Sequence, residues 1–258
     1  MAKKETTSKT IIVALVLCVV CSLVVSSAAV LLKGQQAANK KLDRYSNILA
    51  AAGMLDPDGD IEQQFNNLVT ARVVDLDTGH YVDDVDPITF DQRRAAKNPE
   101  KSIDLNGNED LAKISRRENY SLVYLVEHEG RLDKIILPVR GYGLWSTLYG
   151  FLALNHDANT IAGLGFYEHG ETPGLGGEVD NPKWKALWPG KKVYQDGEAT
   201  IKLVKGVVDP ESNNAAYEVD GLAGATLTSR GITNLVQFWL GEKGFQKFLS
   251  NLRSGEAG

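Results

Sequence analysis

Residues 121–167 read SLVYLVEHEGRLDKIILPVRGYGLWSTLYGFLALNHDANTIAGLGFY, and this stretch decides the fold class. Residues 122–126 and 134–139 are apolar runs of strand length on either side of Glu129 and Gly130, a hairpin turn. Residues 148–154 and 160–167 repeat the arrangement around residues 156–159. A further strand is read at residues 199–204. The strand-rich block closes with a helix, because Ile232, Leu235, Val236, Trp239 and Leu240 recur at helical spacing and Gly241 stands where a stop belongs. The fold class predicted is α+β: a mainly antiparallel sheet with flanking helices.

Working outward, residues 34–53 read as a helix closed by Gly53, residues 56–60 as a Pro-Asp-Gly turn, residues 61–68 as a short helix and residues 71–76 as a strand. That strand runs into a turn at Asp77, Thr78 and Gly79. Residues 85–119 are rich in charge of both signs and read as a solvated face or long surface excursion rather than a ligand patch.

At the start of the chain, residues 11–32 read IIVALVLCVVCSLVVSSAAVLL, 22 residues without charge, glycine or proline. As a helix this run spans about 33 Å, enough to cross a bilayer core. A cleaved signal peptide is the competing reading, but its apolar region is normally shorter. Basic residues flank both ends (Lys3, Lys4 and Lys9; Lys33, Lys40, Lys41 and Arg44), so charge alone does not orient the helix. Cys18 and Cys21 spell C-x-x-C, either a redox pair or two small apolar residues one turn apart in lipid. The organisation expected is a cytoplasmic N-terminus (1–10), a transmembrane helix (11–32), a helical and irregular region (33–120) and a ligand-binding domain (121–258).

The whole chain has 258 residues and a net charge of −5. Length and composition suit a globular protein with a proper core. An acidic body argues against a nucleic-acid binder, which needs a basic face. The two cysteines both lie in the apolar run, and the four histidines are scattered without metal-ligand spacing.

Three stretches carry chemistry. Asp220-Gly-Leu-Ala-Gly-Ala-Thr-Leu-Thr-Ser-Arg-Gly231 leads into the last helix; its small residues admit a bulky group, and the helix N-terminus behind it favours an anion. Thr228 or Ser229 is read as the N-cap. His169-Gly-Glu-Thr-Pro-Gly-Leu-Gly-Gly-Glu178 crowds four glycines and a proline into one loop, more than a turn needs, yet it is neither a P-loop nor a dinucleotide fingerprint. Gly141-Tyr-Gly-Leu-Trp-Ser146 offers Trp145 as a stacking face or as core. On pattern alone a capped helix and a surface loop remain open. So do a hydrolase using Glu168, Glu171 or Glu178 as acid and base, and a structural tether.

The stretch from Asp220 to Thr226 resembles the flavinylation motif of the FMN-binding domain family, in which a threonine hydroxyl is esterified to FMN phosphate. Taken with residues 143–146, residues 170–177 and the single N-terminal helix, the chain resembles the C subunits of Na⁺-translocating NADH:quinone reductases. That resemblance implies covalent FMN on Thr226, with Gly224 and Ala225 beside the acceptor and Glu171, Thr172, Gly174, Leu175 and Trp145 near the isoalloxazine. It implies installation of the flavin from FAD by a separate flavin transferase. It also implies five further subunits and a bacterial inner-membrane location with the flavin domain on the periplasmic side. The flavin would take electrons from an iron–sulfur centre and pass them to another covalent FMN, in a complex that couples NADH oxidation by quinone to ion transport. The G subunits of Rnf-type ferredoxin:NAD⁺ complexes are the alternative; the long segment 34–120 favours the quinone-reductase family. Ala223 departs from the family, which usually has Ser or Thr there.

Overall fold

The computed structural model describes residues 7–256. In chain order they form α1 (Thr7–Ala51), α2 (Ile61–Leu68), β1 (Val69–Asp75), α3 (Gln92–Lys97), β2 (Ser102–Asp104) and β3 (Arg116–Glu118). There follow β4 (Tyr120–His128), β5 (Arg131–Tyr142), β6 (Thr147–Asn155), β7 (Ile161–Glu168), α4 (Pro182–Lys185), β8 (Tyr194–Gln195) and β9 (Glu198–Ala199). The chain ends in β10 (Lys202–Val204), β11 (Glu218–Asp220), α5 (Thr226–Leu240) and α6 (Gln246–Ser254).

Contacts divide the chain into two units, one up to Arg44 and one from Tyr45 onward. In the first, residues 7–44 are helical and long and apolar enough to cross a membrane, with none of the apolar window buried. Cys18 and Cys21 are exposed on it, one turn apart. Of the segment 1–10, residues 1–6 lie outside the described residues.

The second unit is built on a five-stranded antiparallel sheet in the order β1-β4-β5-β6-β7. The α+β class is as expected. The hairpin turn at Glu129 and Gly130 holds, both residues adopting positive φ. Strand residues alternate between two cores. Val123, Leu125, Ile135, Leu137, Leu152 and Leu154 face one; Leu122, Tyr124, Val126, Ile136, Phe151 and Ala153 face the other. A sheet covered on both faces explains why β4 reads as a continuous apolar run instead of alternating with polar residues. Each such Leu or Ile contributes about 2 kcal/mol on burial.

The end of α1 and α2 cover one face, where Ile48, Leu49 and Phe65 are buried and Tyr45 stacks on Phe65 at 3.7 Å. Asp60 caps α2, its carboxylate accepting from the N–H of Gln63. The other face is covered by α5 and α6 through Ile232, Leu235, Trp239, Phe248 and Leu249. α5 lies directly on β5. A Cβ on Gly231 would stand 2.5 Å from the carbonyl oxygen of Tyr142, and one on Gly141 would stand 2.7 Å from Leu235. These two glycines let helix and strand touch, and the contact aims the start of α5 at the loop that follows β5.

Two expectations change. Residues 85–119 are not merely a solvated excursion, because Arg117 and Glu118 are buried. Glu118 is charge-paired with Arg140 at 2.7 Å, and Arg117 donates to Asp77 and to the carbonyl of Lys243. The strand read at residues 199–204 is broken, with Ala199 in β9 and residues 202–204 in β10, because Ile201 between them drops fully into the core.

Candidate functional site

Three loops meet at the N-terminal end of α5, and Glu171 joins them. Its Oε1 accepts the backbone N–H groups of Leu144 (3.0 Å), Trp145 (3.0 Å) and Ser146 (3.3 Å), while Oε2 accepts the Thr228 hydroxyl at 2.7 Å. Glu171 is buried, and burial alone pushes its carboxyl up. The hydrogen bonds from Thr228 and the three N–H groups outweigh this and hold it below the ordinary carboxylate range. Gly176 packs against this knot, where an added Cβ would come within 2.6 Å of Glu171 and 2.7 Å of Thr228.

The loop around Glu171 is itself fixed. Gly170 donates to Ser146 Oγ at 2.6 Å, and Glu171 donates its N–H to His169 Nδ1 at 3.2 Å. His169 therefore carries its proton on Nε2, which donates to Asp180 at 2.9 Å. The carbonyl of Thr172 accepts the N–H groups of Leu175 and Gly177, closing a turn in which Gly174 has φ +76°. Thr172 and Gly174 are exposed in that turn.

Thr226 is the first residue of α5 and is exposed. The N-cap is Ala225, whose methyl group carries no acceptor, so the first turn of the helix lacks a side-chain cap. The expectation that Thr228 or Ser229 caps this helix is wrong. Both lie inside the first turn, where Thr228 donates to Glu171. Ser229 Oγ accepts the N–H of Leu222 at 3.0 Å and donates to the carbonyl of Ala225 at 3.0 Å. These hydroxyls tie the loop to its neighbours, and the helix end stays open to an anion.

Exposed apolar side chains lie on the loops braced at this end of α5 and on its first turn. Trp145 is 66% exposed although its backbone is pinned, Leu227 is 53% exposed and Leu175 44%. Leu175 lies over Gly224, its Cδ2 3.0 Å from where a Cβ would stand, and Gly224 takes φ +72°. A rigid backbone presenting unburied aromatic and aliphatic groups suits a flat, partly apolar ligand. Thr226 also lines a cleft of about 460 Å³, together with Lys202, Leu203, Lys205, Ala223 and Arg230 among others. Sequence reasoning missed this cleft. Arg230, four residues after Thr226 on one helix face, was the available signal; Lys202 comes from β10 and Lys205 from the bend just after it, both distant in sequence.

The three candidate acids of a hydrolase are otherwise engaged. Glu168 pairs with Arg93 at 2.8 Å, Glu178 accepts from Asn181, and the oxygens of Glu171 accept four donors. No free acid–base pair faces the site among them.

Residues 143–241 match the family model of the FMN-binding domain. The chain is 57% identical to the C subunit of the Na⁺-translocating NADH-quinone reductase of Pseudomonas aeruginosa, over all of both chains. It is 46% identical to the same protein of Vibrio vulnificus, covering 99% of each. The crystal structure of Shewanella oneidensis NqrC superposes with a TM-score of 0.77 at 39% identity, covering 84% of this chain and 99% of that one. The crystal structure of the corresponding C subunit from Parabacteroides distasonis gives 0.67 at 29% identity, covering 85% and 97%. The braced loops and the open helix end thus lie inside an FMN-binding domain, and the chain belongs to the family of C subunits of the Na⁺-translocating NADH-quinone reductases.

Proposed function

We propose that this chain carries FMN covalently, as a phosphoester on Thr226, and serves as an electron-carrying subunit within its reductase. The observation that carries the reading is the exposed Thr226 at a helix end without a side-chain cap, at the edge of a cleft and on the helix that the braced Glu171 loop is tied to. The residues fit the group: a phosphate suits the open N-terminus of α5, and a flat ring suits Trp145 and Leu175.

In the maturation step, the Thr226 oxygen bonds to the phosphorus of the FMN half of FAD. The bond to AMP breaks, and the hydroxyl proton leaves with the AMP or to solvent. The transferase supplies FAD and its metal. The bound flavin supplies the redox chemistry. Thr226 fixes where it is attached, Gly224 and Ala225 leave room beside it, and the Glu171 knot orients Trp145. Residues 11–32 anchor the chain in the bacterial inner membrane, residues 1–10 lie in the cytoplasm, and the domain formed by residues 121–258 faces the periplasm with the region 33–120. Five further subunits complete the complex. A covalent link prevents loss of the cofactor on that side.

The test is a denaturing gel of the full chain co-produced with its flavin transferase, viewed under ultraviolet light. Fluorescence that survives denaturation is expected; a dark band overturns the proposal. A smaller effect is expected at Ala223, which is exposed and borders the cleft. Ala223→Ser adds a hydroxyl beside the phosphate, and a hydrogen bond to a charged group contributes about 1.5 kcal/mol. FMN incorporation at limiting FAD should rise by up to about tenfold, measured by flavin fluorescence per mole of protein.

A further inference from the structure

The cleft beside Thr226 has a charge that the rest of the site does not explain. It is lined by three cationic side chains, Lys202, Lys205 and Arg230, and by no carboxylate. Lys202 is compensated by Glu218 at 3.3 Å. Lys205 and Arg230 have no carboxylate partner among the described residues. In a chain of net charge −5, two uncompensated cations in one cleft are a specific arrangement.

The cleft is also firmly built. Thr226, Ser229, Arg230 and Thr233 line it from one face of α5, at positions i, i+3, i+4 and i+7. The opposite wall is the segment around β10, which pairs in parallel with β11. Leu203 donates its N–H to Thr233 Oγ1 at 3.0 Å, and Gln237 donates to the carbonyl of Ile201 at 3.0 Å, so this wall is tied to the same helix. Gly221 closes the seam, since a Cβ there would run into the carbonyl oxygen of Val204.

We propose that Arg230 and Lys205 are the counter-ions that hold the phosphodiester of the Thr226-linked flavin in this cleft. The inference rests on the function proposed above. A phosphodiester keeps one negative charge throughout the working pH range, so it needs fixed donors rather than a proton. The open N–H groups of α5 provide part of this, and a guanidinium one turn along the same helix provides a planar pair of donors. Lys205 closes the opposite side as a point charge. Arg230 and Lys205 are positioning residues, holding the link while the ring lies elsewhere.

The experiment uses the full chain in detergent, co-produced with the transferase, as wild type, Arg230→Gln, Lys205→Gln, the double variant and Arg230→Lys. Both side chains are exposed, so the substitutions remove little packing. Mass spectrometry first establishes the FMN mass on Thr226; its absence from the wild type overturns the function itself. With the adduct present, the phosphorus-31 resonance and the rate of cleavage by an added phosphodiesterase are read. The glutamine variants should shift the resonance, and the salt dependence that screening of the ion pairs gives the wild type should shrink. The double variant should be cleaved about tenfold faster, and Arg230→Lys, which keeps the charge but not the planar pair of donors, should recover part of the protection that Arg230→Gln loses. A resonance and cleavage rate unchanged in the double variant overturn the inference while leaving the covalent flavin standing. Equal loss in Arg230→Lys and Arg230→Gln overturns the counter-ion role of Arg230.

Discussion

Thr226→Ala should yield a folded chain with no covalent flavin at all. Thr226 is exposed at the first position of α5, and its hydroxyl bonds to no other side chain among the described residues. Alanine is the better helix former there, so stability should change by less than about 0.5 kcal/mol. The nearby hydroxyls cannot take over. Thr228 is buried and donates to Glu171, and Ser229 is buried with its oxygen committed to Leu222 and Ala225. The gel band should therefore go dark under ultraviolet light while the melting curve stays in place. Thr226→Ser keeps an attacking oxygen on the same helix position and should restore fluorescence. Fluorescence persisting in the alanine variant, or an adduct mass mapped to Thr228 or Ser229, would overturn the assignment.

The sheet was legible because its code is local. Strands β4 to β7 are apolar runs bounded by turn residues, and α2 follows the Pro-Asp-Gly turn at residues 56–60. The start of α5 was less legible. Hydroxyl residues are good caps, so Thr228 and Ser229 suggested an N-cap, but Thr228 is claimed by Glu171, fifty-seven residues earlier in the chain, and Ser229 by the carbonyl of Ala225 and the N–H of Leu222 in the loop just before it. Distance along the chain, as between Thr228 and Glu171, also hid Glu118 and Arg117. A charged run reads as solvated unless its partners are known, and Arg140 and Asp77 lie far along the sequence. Lys202 and Lys205 were invisible for a related reason, since a parallel β10–β11 pair brings them to α5 and no local pattern predicts such a pair. Choosing Thr226 among the hydroxyls came from resemblance to a family motif, which pattern alone could not replace.

Glu171→Ala should be the most damaging change to the protein scaffold of the site. One carboxylate serves three backbone N–H groups and one buried hydroxyl, so its removal orphans donors in two separate segments. Partial access of water to the loop moderates the cost, which is set at about 3 kcal/mol; for a domain of this size the melting temperature should fall by about 10 °C. Trp145 and Leu175 should lose their fixed positions, altering the circular dichroism of the bound flavin while the mass on Thr226 persists. Glu171→Gln keeps an acceptor for the three N–H groups, and the Thr228 hydroxyl can turn to accept from the amide, so the loss should be about 1 kcal/mol. The acid side of the stability curve separates charge from shape. The folded-state pKa of Glu171 lies below the unfolded value of about 4.5, so the carboxylate's contribution is complete above that pH and disappears as pH falls through the folded value. Wild type should therefore exceed Glu171→Gln by a constant margin near neutrality, and the two should converge in acid. A margin that stays constant through the acid range would show that Glu171 acts by shape and not by its charge.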